Sequence, residues 1–162
     1  MSEPLAFFIT VSAYGARLPG DPRGTSLRRF NATPFSAPEP ANALREQTAR
    51  AAMKNPSPAF GRMEREVIAA SLLEACLHYG WSLHAVNVRT NHVHAVLTTA
   101  RDAEFAMRAL KSSATRRLRE AGLFGPEDRI WARHGSTRYL WDEQDVLNAV
   151  AYVLEGQGPD LQ

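Results

Sequence analysis

A single cysteine, Cys76, excludes any disulfide within this 162-residue chain, which is long enough to bury one core without such staples. Cys76 lies among Leu72, Leu73 and Leu77 and is expected as buried packing, a usage that suits a reducing cytoplasm. No apolar run reaches the roughly 20 residues that a membrane-spanning helix needs. The N-terminus, with Glu3 and Pro4, lacks the basic stretch of a secretory signal. Internal repeats and low-complexity tracts are also missing. Charge of one sign is scarce: 19 basic against 17 acidic residues leave only +2 at neutral pH. Such a balance permits nucleic-acid binding without demanding it, so the distribution of basic residues matters more than their sum. With 44% hydrophobic and 22% charged residues, the chain reads as one globular domain spanning 1–162.

Residues 5–14, rich in aromatic and β-branched types, predict a buried strand that Gly15 breaks. From about 15 to 40 the chain is punctuated by Gly15, Pro19, Gly20, Pro22, Gly24, Pro34, Pro38 and Pro40, and is expected as a long irregular excursion. A short helix is expected around 41–54, stopped before Pro56. Met63, Val67, Ala70, Leu73 and Leu77 recur at helical spacing and predict a helix over 61–79 that ends at Gly80. Two alternating stretches follow, 81–89 and 91–99, with so short a gap that a tight antiparallel hairpin is expected. A second helix over 102–121 carries Phe105, Leu110, Ala114 and Leu118 on one face and Arg108, Lys111, Thr115 and Arg119 on another. Residues 129–141 predict a short strand or two. Asp142 reads as the N-cap of a last helix, with Glu143 and Asp145 in its first turn and Val146, Val150 and Val153 or Leu154 as its buried stripe. Trp81 and Trp141 fall in patterned segments and are expected in the core. This order of elements implies an α+β class, a ferredoxin-like antiparallel sheet with packed helices.

His92 and His94 are two residues apart on a predicted strand, so both imidazoles share one face, close enough for one metal ion. Val93, Ala95 and Leu97 then point the other way, into a helix-covered core. The pattern also suits two packed or surface histidines, and two ligands do not complete a site: a divalent ion wants oxygen donors and water too. His84 lies on the preceding strand, and only the hairpin register decides which face it takes.

Three stretches together resemble the single-tyrosine HUH transposases, the REP-associated and insertion-sequence type of tyrosine transposase. They are Phe8-Ile-Thr through Tyr14-Gly15 with Leu18-Pro-Gly-Asp21; His84-Ala-Val-Asn-Val-Arg-Thr-Asn-His-Val-His94; and Gly135-Ser-Thr-Arg-Tyr-Leu-Trp141 leading to Tyr152-Val-Leu-Glu-Gly-Gln-Gly158. The resemblance implies the HUH endonuclease fold, with His92 and His94 as ligands of Mg2+ or Mn2+ and Tyr152 as the nucleophile. It implies cleavage and rejoining of single-stranded or hairpin DNA through a covalent phosphotyrosine. Such enzymes usually take a further polar ligand four residues after the tyrosine. Here that position is Gly156, a departure; Gln157 is expected to swing back toward the metal, with Glu155 in reserve. Of the other tyrosines, Tyr139 ranks behind Tyr152, ahead of Tyr14 and Tyr79.

Candidate DNA-binding residues fall in two groups: Arg108, Lys111, Arg116 and Arg119 on the second long helix, and Arg133 and Arg138 near the last strand, with Trp131 or Tyr139 available for stacking on bases. Arg17, Arg23, Arg28 and Arg29 make the 15–40 excursion a candidate clamp. The departure at Gly156 keeps open a second reading, a domesticated DNA-binding protein that no longer cuts. A water-using hydrolase would need more carboxylates near the ion, and an RNA-recognition sheet would expose paired aromatics instead of histidines. Monomer and homodimer both stay open.

Overall fold

Residues 2–16 and 41–155 are described by the computed structural model. The excursion from 17 to 40, with its arginines, and residues 156–162, with Gly156 and Gln157, lie outside the described residues. The elements are β1 (Ala6–Ala13), α1 (Ala43–Ala51), α2 (Arg62–Tyr79), β2 (Ser82–Val88), β3 (His92–Thr98), α3 (Ala103–Glu120), β4 (Trp131–Leu140) and α4 (Glu143–Glu155). The four strands form one antiparallel sheet in the order β2-β3-β1-β4. The α+β architecture expected from the sequence is therefore present.

Local chemistry explains where the helices begin and end. Gly80 takes a left-handed conformation, φ 73°, at the end of α2, where a side chain would be strained. Asp102 caps α3 by accepting the Phe105 N–H, and Asp142 accepts the Asp145 N–H at the start of α4. The segment after α3 forms one long strand. Its pairing with β1 is interrupted between Val11 and Ala13, which leaves Arg133 and His134 exposed in an irregular stretch. Gly135 is required there: a Cβ would collide with the Met107 sulfur and the Thr10 carbonyl oxygen, so only glycine lets β4 lie against β1 over α3.

Alternation along β1 and β3 divides the sheet into two faces. Ile9, Val11, Val93, Ala95 and Leu97 point into the main core, packed beneath α2 and α3 on Ile68, Leu72, Leu110 and Leu118. Among the described residues, the opposite face is covered by α4 at one end. There Ala149 and Val153 of α4 press on Ala6, Ala85, Val96 and Leu140. Leu154 is exposed, so the buried stripe of α4 runs through Val153. Trp81 is buried as expected, but Trp141 is 51% exposed. It follows the last residue of the edge strand, where its ring stands edge-on to Tyr139.

Candidate histidine–tyrosine site

His92 and His94 lie on the half-covered face because Val93 and Ala95, between and after them, are claimed by the core. Their rings are 4.7 Å apart, centroid to centroid, at 73°. His94 is paired across the sheet with Thr10 of β1 and Asn87 of β2, and His92 with Ser12 of β1. Each ring is held through Nδ1. His94 Nδ1 shares a hydrogen bond with Thr10 Oγ1 at 2.8 Å, and His92 Nδ1 donates to Asn91 Oδ1 at 2.9 Å. A proton on Nδ1 places the lone pair on Nε2, the arrangement that a metal-binding imidazole needs. His94 is buried, so its orientation is also fixed by packing.

Tyr152 reaches the same place from α4. Val153 beside it is fully buried and anchors the helix on the sheet, while Tyr152 stays 49% exposed. The Tyr152 ring stands edge-on to Phe8 at 5.9 Å and lies 5.9 Å from the His94 ring; Phe8 in turn lies 5.3 Å from His94. The Asn87 side chain donates to the Val153 carbonyl at 2.9 Å, fastening the last turn of α4 to β2 in the row that contains His94. Phenol and imidazoles are thereby fixed in one frame. An ion resting on the two imidazoles would have the Tyr152 ring as a neighbour.

Two imidazoles suit a divalent ion whose remaining positions are filled by oxygen and water. Among the described residues no third His, Cys, Asp or Glu joins the pair, so Glu155 does not complete a metal-binding group. Gln157 falls outside them. His84 is excluded from the pair: β2 shifts register between Leu83 and Ala85, and His84 Nε2 meets Thr98 Oγ1 at the far end of β3.

The candidate DNA-binding cations divide between the two sides of the sheet. Arg108, Lys111, Arg116 and Arg119 belong to α3, across the sheet from the histidines. Lys111 donates to the Ala132 carbonyl at the start of β4, and Arg119 to the carbonyls of Gly125 and Asp128 in the segment before it, so both tie this part of the chain to the helix. Arg108 and Arg116 are surface residues of a groove that they share with Glu74 and His78. Arg117 binds Glu74 and Glu120, which raises its pKa above the ordinary guanidinium value, first through the hydrogen bond to Glu74. Arg133 and Arg138 are exposed on β4, and Arg138 is the cross-strand partner of Phe8, whose ring lies against His94 and Tyr152. Thr10, Asn87, Asn91 and Ser136 were not singled out from the sequence; only Asn91, directly before His92, carried a local hint.

Fold and site together define an α+β protein with a histidine pair and a tyrosine helix on one open sheet face. Similar solved structures include a REP-associated tyrosine transposase bound to a REP hairpin, at 14% identity and a TM-score of 0.49, covering 93% of this chain and 65% of that one. This chain thus spans slightly less than two thirds of that neighbour's length. A candidate transposase from Deinococcus radiodurans R1 is similar at 16% identity and a TM-score of 0.48, covering 97% of this chain and 93% of the other. No family model and no curated protein sequence matches. The functional reading therefore rests on the site itself.

Proposed function

We propose that this chain is a metal-dependent single-stranded DNA endonuclease and strand transferase that works through a covalent phosphotyrosine. The observation that carries the reading is the placement of Tyr152, 5.9 Å from the His94 ring on the face shared with His92. A divalent ion, Mg2+ or Mn2+, held by His92 and His94 would polarise a phosphodiester oxygen and offset the charge that builds on it.

Tyr152 attacks the phosphorus in line. Its oxygen forms the new P–O bond, its proton passes to solvent, and the bond to the DNA 3′ oxygen breaks to leave a 3′-hydroxyl. One phosphodiester is exchanged for another, so a second strand's hydroxyl can reverse the step and rejoin without nucleotide hydrolysis. Phe8 supports the Tyr152 ring, and Asn87 holds the helix turn that presents it. Half-exposure of Tyr152 suits a nucleophile that must meet a large substrate. Single-stranded or hairpin DNA is the substrate class, because one tyrosine handles one strand at a time.

The test uses labelled single-stranded hairpin oligonucleotides from the DNA flanking the chain's own gene, with Mn2+ or with EDTA, on denaturing gels. A metal-dependent adduct that resists denaturation and is lost in Tyr152→Phe is expected. Cleavage that survives in Tyr152→Phe would overturn the reading in favour of a water-using nuclease. Tight binding of a recognised hairpin without any cleavage would instead assign a domesticated DNA-binding protein.

A further inference from the structure

We infer that the uncovered strip of sheet beside the histidine pair, formed by Thr10 and Ser12 of β1 with Ser136 and Arg138 of β4, is the track for the backbone of the attacked strand, and that Arg138 holds the phosphate which Tyr152 attacks. This rests on the proposed nuclease chemistry and adds the path of the substrate to it.

The strip follows from register. Thr10 is partnered by His94 on one side and by Ser136 on the other; Phe8 is partnered by Val96 and by Arg138. Partners across a sheet point to the same face, so Ser136 and Arg138 stand on the histidine face. That face has two halves of different character. Toward one end it is apolar and roofed, with Ala149 and Val153 on Ala6, Ala85, Val96 and Leu140. Toward the other end, on β1 and β4, it is polar: Thr10 and Ser12 are half-exposed, and Ser136 and, at the boundary, Arg138 are exposed. Tyr152 leans over the boundary, its ring against Phe8, which is the cross-strand partner of Arg138.

The chemistry of the strip fits a phosphodiester. Its three hydroxyls can donate to phosphate oxygens, and no carboxylate stands among the four residues to repel an anion. Arg138 has no acidic partner among the described residues, whereas Arg50, Arg62 and Arg117 are all paired. A guanidinium presents parallel N–H groups that match two phosphate oxygens, and the register sets Arg138 opposite Phe8, on which the Tyr152 ring rests. On α3, by contrast, Lys111 and Arg119 are occupied with backbone carbonyls on the far side of the sheet.

The test measures two quantities on the full chain. One is the single-turnover rate of adduct formation on the labelled hairpin with Mn2+. The other is hairpin affinity by fluorescence anisotropy at several salt concentrations, in a Tyr152→Phe background with EDTA. Arg138→Ala is expected to slow adduct formation by about 100-fold or more, as removal of a charge-stabilising donor does. It should also lower the salt slope of binding by about one. Arg138→Lys, which keeps the charge but not the fork, should recover the salt slope and little of the rate. Mn2+ affinity should stay at the wild-type value in both. Arg62→Ala, a surface arginine of α2, serves as the control for loss of one charge. Adduct formation by Arg138→Ala at the wild-type rate overturns the inference, and so does a double Arg108→Ala, Arg116→Ala variant that loses more affinity than Arg138→Ala. Failure of the nuclease reading shows differently, as a wild-type protein that forms no adduct. The anisotropy arm then still locates the strand.

Discussion

Thr10 and His94 face each other across the β1–β3 ladder, with the threonine hydroxyl 2.8 Å from the buried histidine's Nδ1. Replacing Thr10 by Val keeps the shape and removes this hydrogen bond to the ring nitrogen of a buried histidine. Loss of such an outer-shell contact lowers metal affinity by about 10- to 100-fold in comparable sites. Thr10→Val is therefore expected to weaken Mn2+ binding by at least about 10-fold, measured by isothermal titration calorimetry, with little change in the circular dichroism spectrum. Unchanged affinity would mean that His94 does not act as a ligand.

A second prediction concerns the attachment of the tyrosine helix. Asn87 donates to the Val153 carbonyl, one residue from Tyr152. Asn87→Asp keeps the volume but sets an acceptor against an acceptor. The last turn of α4 should loosen, at a cost of about 1 kcal/mol in unfolding stability by urea denaturation. Adduct formation should slow at saturating DNA while hairpin affinity is maintained. A drop in affinity with an unchanged rate would assign Asn87 to DNA contact instead.

Burial gives Cys76 a third testable property. The side chain is 1% exposed, and desolvation pushes its thiol up from 9.0 to about 11. At pH 8 the folded protein should react slowly with a disulfide reagent, and quickly once urea unfolds it. The sign of the pH effect follows. Above the unfolded thiol's pKa the unfolded chain releases a proton that the folded chain retains, so stability falls as pH rises from about 9 to about 11. Cys76→Ala should flatten the unfolding midpoint over that window.

Much of the site was legible because it lies on one strand. The alternation of His92, Val93, His94 and Ala95 places both imidazoles on one face whatever surrounds them. The helix stop at Gly80, the short β2–β3 connection and the buried Leu110, Ala114 and Leu118 of α3 were equally local, set by spacing and by turn chemistry. Trp141 shows where that logic stops. An aromatic in a patterned segment is read as core, but the segment is the sheet edge, and edge position is a property of strand order alone.

The basic residues divide on the same principle. An arginine at helical spacing has the same appearance whether its helix covers the working face or the opposite one. The topology puts α3 across the sheet from His92 and His94, while β4 brings Arg138 beside Phe8. Thr10 was silent for a related reason: it meets His94 across 84 residues of sequence, and nothing near position 10 announces that partner.

The sequence by itself determined that the two histidines share one face of a strand and that a tyrosine follows on a terminal amphipathic helix, because side-chain direction within an element depends only on its period. Only the tertiary structure decided that Tyr152 meets that pair, that Asn87 and Thr10 hold the parts in place, and that the open polar strip runs along β1 and β4. Those relations depend on ladder register and strand order. Both are set by contacts between segments far apart in the chain, where local propensity has no say.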